Sequence, residues 1–237
     1  MTDEIEFITL SEVGRQFHQE FTVRLGDVDE RGVLRLDGIA RYLQDVATDD
    51  WQDTGVDSED IWVVRRTSIR LVEGARWPTY LQRMRLVTWC GGVGAAWAER
   101  RTNVYVGDVL VVEAVALWVP TDRSGHPVRM RPSFFAVYGE AVKGRKVSGR
   151  VVTPPIDERA TLSEWTLRRS DVDIVGHVNN AALWQAVHEV ARDDVRSVTV
   201  VHHGAVEWGD RVVLAHGENF AWLVVNGQTR VSARYGG

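Results

Sequence analysis

The sequence predicts an α+β protein in which one plan is used twice: a strand, a polar Asp/Gly turn, a long helix, then a series of antiparallel strands. Three observations predict it. Residues 26–50 align without a gap on residues 170–194 at a constant offset of 144, with eight identities. These are Asp27-Val28-Asp29 on Asp171-Val172-Asp173, Gly32 on Gly176, Val46-Ala47 on Val190-Ala191, and Asp49-Asp50 on Asp193-Asp194. Each copy carries apolar residues at helical spacing directly after its turn. Each helical stretch is followed by alternating, β-rich runs punctuated by glycine turns. Short blocks recurring in one register are the mark of a duplicated unit.

In the first copy, Phe21 to Leu25 alternates as a strand does, and the turn follows. Leu36, Ile39, Ala40, Leu43, Val46 and Ala47 then form one apolar stripe of a helix. Trp51 to Asp60 is polar and predicts a loop. Strands are expected over 62–71, 81–89, 95–105 and 109–119. Gly91 to Gly94 joins the second and third of these, and Gly107-Asp108 makes the last hairpin because glycine tolerates positive φ. Pro132-Ser133 suits the first turn of a short helix reaching Val142. Lys143 to Pro155 predicts a linker crossing the surface. In the second copy Trp165 to Arg168 is strand-like and 181–195 is the helix. Strands are expected over 197–202, 211–216, 220–225 and 229–235, with Asn226-Gly227 a strong hairpin turn. The expected organisation is residues 1–122, a basic connecting segment 123–160, and residues 161–237. One long helix wrapped by a twisted antiparallel sheet is the hot-dog arrangement. Two in tandem make a pseudo-dimer, leaving a monomer or a homodimer open as the assembly.

Composition narrows the function. The chain has 237 residues, 44% hydrophobic and 26% charged, with a net charge of −5 that argues against general nucleic-acid binding. No run approaches the roughly 18 to 20 apolar residues of a membrane span. Met1 to Glu6 is acidic and lacks the pattern of a signal peptide. The sole cysteine, Cys90, has no partner for an internal disulfide. A cytoplasmic protein is expected. Charge is uneven: residues 1–60 hold 16 acidic against 5 basic side chains, and residues 123–150 hold seven basic against one acidic. Such a segment either attracts an acidic or phosphorylated partner or simply keeps a connection solvated.

The chemistry concentrates in Ser170 to Asn180, where two carboxylates, an imidazole and two carboxamides precede a helix. Asp173 is placed to act as nucleophile or general base, or merely to cap its own turn. His177 is placed to polarise a carbonyl, position water or protonate a leaving group. One of Asn179 and Asn180 is expected to cap the helix and the other to orient substrate. Amides from Gly176 to Val178 could serve an oxyanion at the positive end of the helix. Asp29 is the counterpart of Asp173, but Val33 stands at the histidine position and Arg35-Leu36 at the asparagine pair, so one active cleft is expected. Trp62, Trp89, Trp97 and Trp118 are either pocket walls or plain core. His202 and His203, adjacent on a strand, point to opposite faces and do not make a metal site. No metal and no other cofactor is expected.

With these residues assembled, the chain resembles the acyl-ACP thioesterases, double hot-dog enzymes that release fatty acids from acyl carrier protein. Asp171 to Asn180 is similar to that family's Asp-x-Asn-x-His-Val-Asn-Asn string. Trp62 to Arg70, Arg76-Trp77, Thr88-Trp89, Leu117 to Val119, Asp122 and Pro127 to Arg129 are similar to its first-domain strands, so the likeness covers roughly 20–235. It implies that Asp173 and His177 act in catalysis with Asn179, that Gly176, Val178 and Asn180 lie against substrate, and that the substrate is an acyl thioester of acyl carrier protein or coenzyme A. The family's asparagine is Val175 here. Registering Val198 to Asp210 on its Gly-Asp end puts Ala205 at the family's acid and Val206 at its frequent cysteine, and Glu207 points elsewhere on a regular strand. A non-catalytic acyl-thioester binder and an acyl hydratase or dehydratase remain open as alternatives.

Overall fold

A computed structural model of the chain describes residues 5–56 and 60–237. Ten strands form one antiparallel sheet around two central helices. Strand β1 (Gln16–Thr22) leads through a one-turn helix into helix α1 (Leu36–Asp53), followed by β2 (Ile61–Leu71), β3 (Arg83–Val93), β4 (Ala98–Val106) and β5 (Val109–Thr121). Helix α2 (Pro132–Val142) lies in the connection. The second half runs β6 (Thr161–Trp165), α3 (Asn180–Val190), β7 (Ser197–His202), β8 (Val212–His216), β9 (Phe220–Val225) and β10 (Gln228–Gly236). The order across the sheet is β1-β3-β4-β5-β2-β7-β10-β9-β8-β6. The halves therefore meet at the antiparallel β2–β7 pair, from Arg66 opposite Val201 to Arg70 opposite Ser197. Across that seam Ser68 and Thr199 share a hydroxyl hydrogen bond of 2.9 Å, and Trp77 Nε1 donates to the Val195 carbonyl at 3.0 Å.

The core lies where α1 and α3 pack on each other and on the concave face of the sheet. Ile39, Val46, Ala186, Val187, Leu86, Val112 and Val200 are all essentially sealed from solvent. A satellite cluster packs Phe134, Tyr138 and Val142 of α2 on Cys90, Val93 and Ala98. The hairpin turns at Gly107-Asp108 and Asn226-Gly227 form where expected, with positive φ at Gly107, Asn226 and Gly227 (60°, 50° and 75°).

Several boundaries differ from the expectation. The first strand is Gln16–Thr22, and Leu25 to Asp27 is instead a single helical turn. Helix α1 runs on to Asp53 through the polar stretch read as loop, because Asp50 is buried against Arg15, Arg100 and Tyr138 and Trp51 packs on Trp62 and Tyr138. Residues 57–59 of that stretch lie outside the described residues. Strand β3 continues through Gly91 to Val93. Its register shifts between Cys90 and Gly92, and a Cβ on Gly92 would stand 2.5 Å from Val147 Cγ1. Helix α3 stops at Val190, not 195. An extended Ala191 and a turn at Arg192 bring Val195 into the core so that β7 can start at Ser197. Strand β6 ends at Trp165, the first residue of the Trp165 to Arg168 stretch expected to form it. The segment 143–155 is tied down: the Val147 amide donates to the Val93 carbonyl, and Trp97 and Trp222 donate to the carbonyls of Val147 and Pro154.

Candidate active site

The duplication is visible bond by bond in the two turns. Asp29 N–H donates to the Val33 carbonyl and Asp173 N–H to the His177 carbonyl, at 2.8 and 2.9 Å. Gly32 donates to Asp29 and Gly176 to Asp173, both at 3.0 Å. Arg35 donates to Asp27 and Asn179 to Asp171, at 2.9 and 2.7 Å. Gly32 and Gly176 sit at φ 77° and 88°, a conformation that favours glycine, which is why both copies carry it.

Side chains then separate the copies. In the first, Asp29 Oδ1 accepts the amides of Arg31 and Val33 and Oδ2 is clamped by the Arg31 guanidinium at 2.8 Å. Burial works to raise the Asp29 carboxyl, but the bonds from Val33 and Arg31 outweigh it and hold it below its ordinary range. In the second copy Val175 replaces that arginine. Asp173 Oδ1 accepts the Val175 amide at 2.9 Å, and Oδ2 is left to a long contact of 3.4 Å from Asn179 Nδ2. One oxygen of Asp173 thus caps the turn, and the other faces the asparagine.

Asn179 is the N-cap of α3, its Oδ1 accepting the Ala181 amide at 2.8 Å, and Asn180 is the first helical residue. Asn179→Ala removes the cap. It is expected to cost about 1 kcal/mol of stability, read as a fall in the urea midpoint without a change in slope. Of the amides expected to serve an oxyanion, Gly176 donates to Asp173 and Val178 to the Val206 carbonyl, so neither is free for one. Between Val175 and Val178, the His177 amide is the one that donates to nothing among the described residues.

His177 is partly exposed at the rim, with Nε2 3.3 Å from Glu207 Oε1. A regular strand would turn Glu207 away from the site. Strand β7 ends at His202, and the irregular 203–211 segment carries Glu207 back onto the turn through a bridge to His177. A glycine at 204 and a Gly-Asp at 209–210 were the signal in the sequence that the strand breaks there.

Asp173, Val175, His177, Asn179 and Asn180 line one side of a cavity of about 340 Å³. Its walls come from the first half: Ala40, Leu43 and Gln44 of α1, residues 61–65 and Thr67 of β2, and Ala114, Ala116 and Trp118 of β5. Trp184, His202, Gly204 and Ala205 complete it. A second cavity of about 300 Å³ continues beneath α2 and shares Gln44, Trp62, Arg100 and Trp118 with the first. Trp62 and Trp118 are therefore walls, whereas Trp89 is sealed in the core and Trp97 packs on the connecting segment. Asp29, Arg31 and Val33 line neither cavity.

His202 and His203 point apart, as alternation requires. His203 Nε2 lies 2.9 Å from Ser232 Oγ, while His202 is buried against the cavity. Burial, with the nearby Arg65 charge, pushes the His202 imidazole down to about 3. An unfolded His202 binds a proton below its ordinary value of 6.5, and the folded one does not until about 3. Its contribution to stability is complete above pH 6.5 and is lost progressively as pH falls toward 3. Between pH 6.5 and pH 4.5 the loss attributable to it is about 2 to 3 kcal/mol. Urea titrations at the two pH values in wild type and His202→Phe measure it as the difference in slope against pH.

A tandem hot-dog protein is the class that this fold defines. Residues 14–138 match the acyl-ACP thioesterase N-terminal domain and residues 156–221 the C-terminal domain. The chain belongs to the acyl-ACP thioesterase family. An uncharacterized protein of Mycobacterium tuberculosis is 29% identical over 168 residues, covering 69% of this chain and 65% of the relative. A chloroplastic oleoyl-acyl carrier protein thioesterase of Coriandrum sativum is 24% identical over 213 residues, covering 77% of this chain and 55% of the relative. The chain thus spans a little under two thirds of the length of the first of these relatives and a little over half that of the second. In fold it is similar to the 12:0-ACP thioesterase from Umbellularia californica, with a TM-score of 0.76 at 17% identity, over 98% of each chain. Among the described residues no helix is long and apolar enough to cross a membrane.

Proposed function

We propose that this chain hydrolyses fatty-acyl thioesters, with acyl carrier protein as the carrier, and releases the free fatty acid. The observation that supports this most is the single cavity with Asp173, His177 and Asn179 on one side and apolar, Trp-containing walls from the other half. An acyl chain lies along those walls, with its thioester at the Asp173 turn.

Asp173 Oδ2, unclamped because Val175 stands where Arg31 stands in the first copy, accepts a proton from water as that water adds to the thioester carbonyl. Asn179 holds the carboxylate in place through Nδ2 while its Oδ1 caps α3. The oxyanion meets the His177 amide and the positive end of α3. Collapse of the tetrahedral species breaks the C–S bond, and the His177 imidazole, beside Glu207, delivers a proton to the departing thiolate. Gly176 supplies the turn geometry, and Val178 and Asn180 contact the substrate. The basic stretch 123–150 complements an acidic carrier. Arg131 and Arg145 within it are already paired with Asp60 and with Glu6 and Glu99. The protein is proposed to act in the cytoplasm as a monomeric pseudo-dimer or a homodimer, with no cofactor and no metal.

A second reading, a binder of acyl thioesters without turnover, is favoured by Val175, Ala205 and Val206, which stand at polar positions of the family. Thiol release across acyl-ACP and acyl-CoA substrates of graded length separates the two. Turnover with acyl-ACP supports the enzyme; binding without any thiol release supports the binder.

A further inference from the structure

The cavity is less apolar than a slot for a plain hydrocarbon needs to be. Trp62 Nε1, Trp118 Nε1 and both ring nitrogens of His202 are buried and have no hydrogen-bond partner among the described residues. All three side chains line the same cavity. They come from three neighbouring strands, β5, β2 and β7. Val64 is paired with Trp118, and Trp62 lies two residues before it, so the two indoles are diagonal neighbours on one face. His202 follows Val201, which is paired with Arg66 on the same β2. Trp62 is further fixed by ring contacts with Trp51 and Phe134, at 5.9 and 5.4 Å between centroids.

Buried donors without partners are costly, and native interiors rarely keep several in one place without a use. The two indoles can only donate, and a neutral imidazole donates through one nitrogen and accepts through the other. Arg100, on the wall shared with the second cavity, is already paired with Asp50 and Tyr138, so it does not call for a carboxylate. The unmet chemistry is that of a neutral oxygen. We propose that the acyl chain seated here carries a hydroxyl or carbonyl oxygen placed to meet the Trp62 and Trp118 indoles and His202. Because the two tryptophans also line the second cavity and the Asp173 turn does not, that oxygen sits along the chain, beyond the thioester. The inference rests on the acyl-binding reading of this cavity, but not on turnover.

The test is calorimetric binding of free fatty acids to the wild-type chain. Hydroxy and oxo acids with the oxygen moved position by position are compared with the unsubstituted acid of equal length. At least one position is expected to bind about ten-fold more tightly than the plain chain, the scale of one or two well-made buried hydrogen bonds. Trp62→Phe, Trp118→Phe and His202→Phe are each expected to shrink that ratio toward one. Equal or weaker binding of every oxygenated acid, or no binding of any acid, overturns the proposal from wild type alone, whatever the variants do. A preference that survives all three substitutions overturns the assignment of these groups. Preferential binding without thiol release in the separate assay would instead overturn only the hydrolytic reading.

Discussion

Asp173→Asn is expected to lower kcat/KM for acyl-ACP hydrolysis by about 10²- to 10⁴-fold, the usual scale for loss of a positioned base. The substitution keeps the shape of the side chain. Its carbonyl oxygen can still accept the Val175 amide, so the turn survives while the proton acceptor is lost. His177→Ala is expected to cost a similar factor, and the double variant little more than either alone, because in the proposed mechanism the two groups act on one reaction coordinate. The control is Asp29→Asn. Asp29 occupies the matching place in the first turn but is held by Arg31 and lines neither cavity. Its loss should leave hydrolysis within about two-fold of wild type, a spread well below that of losing a base. Equal rates for Asp173→Asn and Asp29→Asn would mean that the second turn is as inert as the first.

The largest expected effect on stability is at Asp50. Its side chain is about 1% exposed. It accepts from Arg15 Nε at 2.7 Å, from Arg100 Nη1 at 2.6 Å and from the Tyr138 hydroxyl at 2.8 Å. This network ties α1 to β4 and α2. Burial pushes the Tyr138 hydroxyl up to about 12, with the Asp50 charge adding to it, so it remains a donor at any working pH. Asp50→Ala would leave the Arg100 guanidinium inside without a counter-charge and is expected to cost about 3 to 5 kcal/mol. For a chain of this size that is a fall in Tm of roughly 10 °C. Adding Arg100→Met to Asp50→Ala is expected to recover a large part of the loss, since it removes the stranded charge. Asp53, the other partner of Arg15, is 58% exposed, and Asp53→Ala should change stability by no more than about 0.5 kcal/mol. Calorimetric Tm values for the four proteins check the order.

Much of the fold was legible because its signals are local. Glycine and asparagine at positive φ mark the hairpins, Pro132 opens α2 at its observed first residue, and the aligned repeat by itself marks both Asp/Gly turns. The misjudged end of α1 has a non-local cause. The last turn of α1 is polar and reads as loop, but Asp50 and Trp51 have long-range partners that no local pattern shows. The β2–β7 seam joining the halves is likewise set by contacts between distant stretches of chain, such as Ser68 with Thr199.

The candidate site was legible as a string of residues but not as an arrangement. The contrast between Val175 and Arg31 is present in the aligned repeat, yet only the geometry shows that the arginine occupies the first carboxylate and the valine leaves the second open. Glu207 was set aside by strand alternation, a rule that lapses where the strand ends at His202. The Trp62, Trp118 and His202 cluster combines three distant stretches, and none of the three is informative alone.

Thioester hydrolysis at the Asp173 turn is the activity proposed. Its most direct measurement is the rate at which the folded wild-type chain releases free fatty acid from acyl carrier protein loaded with a chain that it binds, taken beside Asp173→Asn. Multiple turnovers by wild type and a rate at least about 100-fold lower for the variant are expected, on the scale of a lost general base. Binding by wild type with no acid released, or equal release by both proteins, would contradict the proposal.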